Sequence, residues 1–198
     1  MPLSIYPEFV AALEPLLPAF GDPVTFPAGD VLSRRANVNR RWALAMETWP
    51  VIDDVKHSIH TARSSIDGAE IAIHRCVKTG RPPCKSAVVY THGGGYFCLN
   101  VPLYHKVLQT LCVAIRCAIL RHEYRFAPEH PFPTPVEDSY FGLLWVNQHA
   151  SDFGLDPTRI AIMGDSAGGG VAAGVANGSG SRIVPTTGET AHHRWHAR

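Results

Sequence analysis

The sequence predicts an α/β fold, a mostly parallel β-sheet flanked by helices, and three observations predict it. Short apolar runs of the kind buried on both faces of a parallel sheet occur at Ser86-Ala87-Val88-Val89-Tyr90 and Ile160-Ala161-Ile162-Met163. Stretches with apolar residues at helical spacing separate such runs, as in Val107, Leu108, Leu111, Cys112 and Ile115. Strands alternating with helices imply parallel neighbours joined by crossovers. At 198 residues, 45% of them hydrophobic and 18% charged, the chain fits one globular domain.

The elements follow in order. Residues 1–50 read as helical pieces broken by turns and are expected to form an N-terminal helical segment. Phe9, Leu13, Leu16 and Leu17 share a helical face that Pro18 should end. Gly21-Asp22-Pro23 and Pro27-Ala28-Gly29-Asp30 are turns. A second helix is expected from Val31 to Thr48, with Arg34, Arg35, Arg40 and Arg41 on a solvated face. The period then changes to two. Val55–Thr61 and Ile71–Val77 alternate around the turn residues Ser65, Asp67 and Gly68, which predicts two strands with His57, His60 and His74 facing solvent. After the strand ending near Tyr90 come a helix over Tyr104–Ile115 and a strand over Cys117–Tyr124. Four prolines in Pro128–Pro135 predict extended loop, followed by a helix over Val136–His149. The strand Ile160–Met163 leads into a small-residue helix, Ala167–Ala176. A partial α/β core is thus expected over 51–176 and an atypical, disordered tail over 177–198.

Composition excludes several roles. Eighteen basic against seventeen acidic residues leave a net charge of +1, no footprint for nucleic acid or an anionic membrane surface. No apolar run approaches the ~18–20 residues that would span a bilayer. Seventeen glycines and sixteen prolines mark a loop-rich chain. Cys76, Cys84, Cys98, Cys112 and Cys117 are odd in number and contain no CxxC pair, so buried, reduced thiols are expected rather than a zinc or redox site. The first twenty residues lack a basic n-region and carry Glu8 and Glu14, unlike a signal peptide. The expected location is cytoplasmic.

Two motifs carry chemistry. Gly164-Asp165-Ser166-Ala167-Gly168 is G-x-S-x-G between an apolar strand and a Gly/Ala helix. So tight a turn needs glycine at its flanks, and it aims the serine hydroxyl at a helix N-terminus, where the dipole favours developing negative charge. His92-Gly93-Gly94-Gly95 follows the strand ending near Tyr90. Three consecutive glycines allow a loop to approach a ligand and point backbone N–H groups at it. With the N–H of Ala167, they would make an oxyanion hole for a tetrahedral acyl intermediate. A flexible linker and a phosphate loop are the other readings of such glycines, but a linker seldom follows a buried strand so abruptly and no Gly-Lys-Ser/Thr follows.

The chain resembles the hormone-sensitive-lipase-like branch of the α/β-hydrolases, the α/β-hydrolase fold-3 group. Three stretches carry the resemblance: His92-Gly93-Gly94-Gly95-Tyr96-Phe97; Tyr124-Arg125-Phe126-Ala127-Pro128-Glu129-His130-Pro131-Phe132-Pro133; and Asp156-Pro157-Thr158-Arg159-Ile160 running into Gly164-Asp165-Ser166-Ala167-Gly168-Gly169. It spans residues 55 to 176. The resemblance implies hydrolysis of a small-molecule carboxylic ester through an acyl-enzyme on Ser166. Gly93, Gly94, Gly95 and Ala167 would be the oxyanion donors, with motif support from His92, Gly164, Asp165, Gly168 and Glu129. It further implies an N-terminal lid over the acyl pocket, a hydrogen bond from Glu129 that supports the loop beside the site, and no metal or cofactor.

A serine needs a base, usually a histidine oriented by a carboxylate. In α/β-hydrolases the order is Ser, then Asp or Glu, then His. Only 32 residues follow Ser166, too few for the acid and base loops with their strands and helices. A C-terminal truncation with impaired catalysis is therefore expected, Ile160–Met163 becoming a bare sheet edge. Glu189, His192, His193 and His196 in the tail have no structural frame as substitutes. The alternative is a non-catalytic ligand-binding protein of the same fold, as the gibberellin-receptor type is, or a non-functional product.

Overall fold

The computed structural model describes residues 5–20, 24–80, 82 and 84–178. The Gly21–Pro23 turn and the tail from Ser179 onward, with Glu189 and the three tail histidines, lie outside the described residues.

Helix α1 (Pro7–Leu13) passes through a short 3₁₀ turn into α2 (Leu17–Phe20). Pro18 does not end the helical run. It sits in the first turn of α2, where a missing N–H costs nothing. Ile5, Tyr6, Phe9, Val10 and Leu17 are exposed. Helix α3 (Val31–Glu47) starts where Asp30 accepts the Ser33 N–H at 3.1 Å.

Five strands form one mixed sheet: β1 (Val55–Arg63), β2 (Glu70–Lys78), β3 (Ala87–Thr91), β4 (Ala118–His122) and β5 (Ile160–Gly164). Their order is β1-β2-β4-β3-β5. The β1–β2 hairpin is antiparallel and joins β4 antiparallel, while β4, β3 and β5 run parallel. The connections that return the chain to a parallel neighbour are α4 (Val101–Ile115) and α5 (Thr134–Gln148). Helix α6 (Ala167–Gly178) follows β5 and runs two residues past the expected Ala176. The proline-rich segment is a series of turns rather than extended chain, and Pro135 lies inside the first turn of α5.

Both faces of the sheet are covered, so residues on opposite sides of one strand enter different cores. Ile71, Ile73, Val89, Leu120 and Ile160 pack with Val136, Leu143 and Val146 of α5 and Val171 and Val175 of α6. Cys76, Tyr90 and Ile119 pack with Tyr104, Leu108 and Cys112 of α4, against which Val38 and Trp42 of α3 rest. This double coverage corrects the reading of His74 as a solvent-facing residue. It is buried, and its Nδ1 lies 3.0 Å from Nε2 of half-buried His57, whose ring also meets His105 of α4 edge-on. His60 is half-buried too, edge-on to Phe153. Alternation revealed one covered face of the hairpin; the second cover, α4, comes from thirty residues later.

Four of the five cysteines are buried and all are free thiols. Burial pushes the Cys76 thiol up to about 12 and that of Cys98 up to about 11, which keeps both protonated. No helix among the described residues is long and apolar enough to cross a membrane.

Candidate active site

Parallel pairing of β3 with β5 sets Thr91 opposite Gly164. The chain leaves both strands at the same end of the sheet, so the glycine loop after β3 lies beside the serine turn after β5. Ser166 occupies the left-handed region at φ +50°, a conformation costly for a residue with a Cβ. Its neighbours explain how the turn is held. A Cβ at Gly164 would overlap Thr91 Oγ1 and the Gly168 carbonyl. One at Gly168 would overlap the carbonyls of Thr91 and His92. The Thr91 hydroxyl donates to the Gly168 carbonyl at 2.6 Å, and the Gly169 N–H returns to the Ser166 carbonyl at 3.0 Å. Ser166 itself is exposed at the N-terminus of α6, with no hydrogen bond on its Oγ among the described residues.

The glycine loop folds back on itself. The Gly94 carbonyl accepts the N–H groups of Phe97 and Cys98 at 3.0 and 3.1 Å, with Gly94 at φ +124°. The Gly93 N–H is already engaged. It donates to Asp165 Oδ1 at 2.8 Å, unlike the N–H groups of the other oxyanion donors that the sequence suggested. The N–H groups of Gly94, Gly95 and Ala167 meet no acceptor among the described residues.

Asp165 is the residue whose part in the motif sequence reasoning left undefined. Its carboxylate accepts Tyr90 Oη at 2.6 Å and Tyr104 Oη at 2.9 Å besides the Gly93 N–H. Burial and the Asp165 charge together raise both tyrosine hydroxyls far above the ordinary phenol range, so both remain donors. Nothing in the sequence pairs these tyrosines with Asp165; only β3–β5 register and the docking of α4 bring them together.

His92 is fully buried and stacks on Tyr124 at 4.4 Å, while Tyr124 Oη donates to the His92 carbonyl at 2.7 Å. Burial first, then the Arg121 charge, push the imidazole down to about 2. It is neutral, with Nδ1–H donating to the Gly93 carbonyl at 2.5 Å, which leaves Nε2 as an unpaired acceptor. This histidine shapes the loop and offers no base. A cleft of about 320 Å³ lined by Thr61, Glu70, Glu123, Arg125 and part of His92 opens beside it, but Ser166 is not among its walls.

Glu129 lies in the proline-rich loop and accepts two bonds from the Arg35 guanidinium, at 2.9 and 2.7 Å. That pairing holds its carboxyl down to about 2. Arg35 therefore departs from the solvated face expected of the α3 arginines, since three-quarters or more of its side chain is covered. Arg125, at the start of the same loop, is held between Asp67 at 2.6 Å and the buried Asp138 at 2.8 Å.

Residues 88–188 match the family model described as alpha/beta hydrolase fold. The chain is 42% identical over 89 residues to Carboxylesterase NlhH of Mycobacterium tuberculosis, a stretch covering 45% of this chain and 28% of that protein. It is 28% identical over 172 residues to an AB hydrolase superfamily protein of Schizosaccharomyces pombe, covering 86% and 48% of the two chains. Among solved structures, a bacterial heroin esterase superposes with a TM-score of 0.75 at 32% identity, over 88% of this chain and 53% of that one. A hyperthermophilic esterase from Pyrobaculum calidifontis gives 0.72 at 31%, over 90% and 54%. The chain thus spans between about a quarter and about half of the proteins it matches. With the strained serine between two close-packed glycines, the folded-back glycine loop beside it and these likenesses, the chain belongs to the alpha/beta hydrolase fold family, in its hormone-sensitive-lipase-like group.

Proposed function

We propose that this chain carries the nucleophile and the oxyanion donors of a serine carboxylesterase, and that its substrate is a small-molecule carboxylic ester. The observation that supports this best is the pairing of Ser166, exposed at φ +50° at a helix N-terminus, with the unengaged N–H groups of Gly94, Gly95 and Ala167. In this reading Ser166 Oγ attacks the ester carbonyl and its proton passes to a base. The carbonyl oxygen, now an oxyanion, accepts from those N–H groups, and collapse expels the alcohol. Water then cleaves the acyl-enzyme and restores the serine. The positive end of the α6 dipole assists the same oxyanion. Heroin esterase and NlhH, by their names, act on esters, which is consistent with this substrate class.

Among the described residues no imidazole hydrogen-bonds Ser166 Oγ. In this reading turnover falls to the level that the oxyanion hole and binding sustain without a base, about 10³–10⁴-fold over water. The test is fluorophosphonate labelling with peptide mapping, beside p-nitrophenyl acetate hydrolysis, on the chain and its Ser166→Ala variant. Slow labelling at Ser166 and weak hydrolysis, both lost in the variant, are expected. Equal hydrolysis by the two proteins, or no labelling at Ser166, would overturn the reading.

A further inference from the structure

The glycine loop is held at both ends by side chains from distant parts of the chain. At its start, Asp165 accepts the Gly93 N–H. At its far end, two residues of α3 take over: Arg35 Nε donates to the Phe97 carbonyl at 2.5 Å, and Asn39 Oδ1 accepts the Leu99 N–H at 2.9 Å. Arg35, Asn39 and Trp42 lie at i, i+4 and i+7, one face of the helix. Trp42 completes that face by stacking on Tyr104 at 4.9 Å and donating to the Leu103 carbonyl at 2.7 Å. Tyr104 is itself a donor to Asp165. The two anchorages are thus joined through one ring stack.

Arg35 does more than fasten a helix. Its planar guanidinium meets acceptors on two separate loops: the Phe97 carbonyl in the glycine loop, and the Ala127 carbonyl at 2.7 Å with the Glu129 carboxylate in the proline-rich loop. A lysine, with one point charge, cannot hold these in one plane. Phe97 and Cys98 in turn donate to the Gly94 carbonyl, which shares its peptide plane with the Gly95 N–H, so the plane fixed at Phe97 orients that N–H. Donors aimed at a developing charge lose most of their value when misplaced by a fraction of an ångström.

We propose that Arg35 is a positioning residue for the proposed oxyanion donor Gly95, acting through the Phe97 carbonyl and braced by Glu129. This rests on the esterase reading above. It makes α3 a fixed brace of the glycine loop.

The test compares the full 198-residue chain with Arg35→Met, Arg35→Lys and Glu129→Gln. Two readouts are taken: single-turnover acylation of Ser166 by p-nitrophenyl acetate, and amide exchange across residues 93–99. In Arg35→Met the acylation rate constant falls about tenfold while the half-saturating ester concentration stays within about twofold, as for donors that act on the transition state. Exchange over 94–99 rises about tenfold with that over β3 unchanged. Arg35→Lys and Glu129→Gln fall between Arg35→Met and the parent. Should Arg35→Met fail to fold, Glu129→Gln is read by the same criteria. A raised half-saturating concentration with an unchanged acylation rate would overturn the proposal, as would unchanged acylation and exchange. If Ser166 of the parent chain is inert to the ester, the esterase reading fails. The brace is then decided by exchange alone: faster exchange in Arg35→Met upholds it, and unchanged exchange removes it.

Discussion

Asp165 and Gly93 are joined by a hydrogen bond of 2.8 Å from the Gly93 N–H to the carboxylate. The bond crosses from the serine turn to the glycine loop, seventy-two positions apart in the chain. It fixes how far the nucleophile stands from the proposed oxyanion donors without engaging either. The same carboxylate holds the two tyrosine hydroxyls, so three donors converge on one anion.

Replacement of Asp165 by Asn keeps the shape but sets an NH₂ group where donors converge. A buried donor left without an acceptor costs about 1–3 kcal/mol. Asp165→Asn is expected to lose about that much in urea denaturation and to slow Ser166 labelling. Tyr104→Phe removes only one bond and is expected to lose about 1 kcal/mol. Equal stability of Asp165→Asn and the parent would contradict the convergence described above.

The glycines of the serine turn differ in what they tolerate. Gly168→Ala drives a methyl into two backbone carbonyls and is expected to destabilise by about 3 kcal/mol or more, or to prevent folding. Gly169→Ala meets the Gly164 carbonyl at 3.3 Å and gains helix propensity, so its melting temperature is expected within a few degrees of the parent. If the two variants melt together, the close packing at Gly168 is refuted.

Ser166 holds strain that its own side chain creates. Ser166→Gly is expected to stabilise the fold by about 1 kcal/mol, because glycine occupies φ +50° without penalty. The same change abolishes fluorophosphonate labelling. A destabilised Ser166→Gly protein would show that the left-handed conformation is not strained here.

Buried histidines make the fold sensitive to acid. Burial chiefly lowers the pKa of His57, His60 and His105, and takes His74 down to about 4 and His122 to about 3. The unfolded chain binds protons near ~6.5. Because the folded values are depressed, this stability is fully present above pH ~6.5 and erodes as pH falls toward 4 and below. The slope approaches about 1 kcal/mol per pH unit for His122, and less for half-screened His74; His57, His60 and His105 add in the same direction. The Arg35–Glu129 pair adds to the loss below pH ~4.3, as Glu129 approaches its folded value of about 2. Urea midpoints measured from pH ~7 to ~4 should fall steeply, less so in His74→Phe. A flat profile would sink this account.

Among the described residues β5 pairs only with β3, and Ala161 within β5 is exposed. Unpaired N–H and C=O groups on such an edge template intermolecular pairing. The purified 198-residue chain is expected to associate with rising concentration in analytical ultracentrifugation, and Ala161→Lys to reduce it. A monodisperse, cooperatively melting monomer would argue against the open edge.

What was legible in the sequence was what local sterics dictate. The Gly164–Gly168 turn and the glycine loop could be read because only glycine survives such backbone approaches. The β3 and β5 runs could be read because burial on both faces removes polar alternation. Arg35 could not, since its acceptors lie 62 to 94 residues away and a helical arginine has no signature of what it meets. The Gly93 bond to Asp165 was hidden for a related reason: an N–H in a glycine loop looks available until its partner is brought alongside. His74 reads as solvent-facing in the sequence because alternation reports the face that is covered locally, not the one a later helix covers.

The sheet order also dictates the sequence of events during synthesis. Helix α3, the hairpin, β3 and the glycine loop emerge first, followed by α4, β4 and the proline-rich loop, so Arg35 can grip both of its loops before β5 leaves the ribosome. Asp165 arrives after its three donors. Until it does, the Tyr90 and Tyr104 hydroxyls and the Gly93 N–H lack their acceptor, and the nascent chain holds a half-built cradle that only the turn after β5 can close.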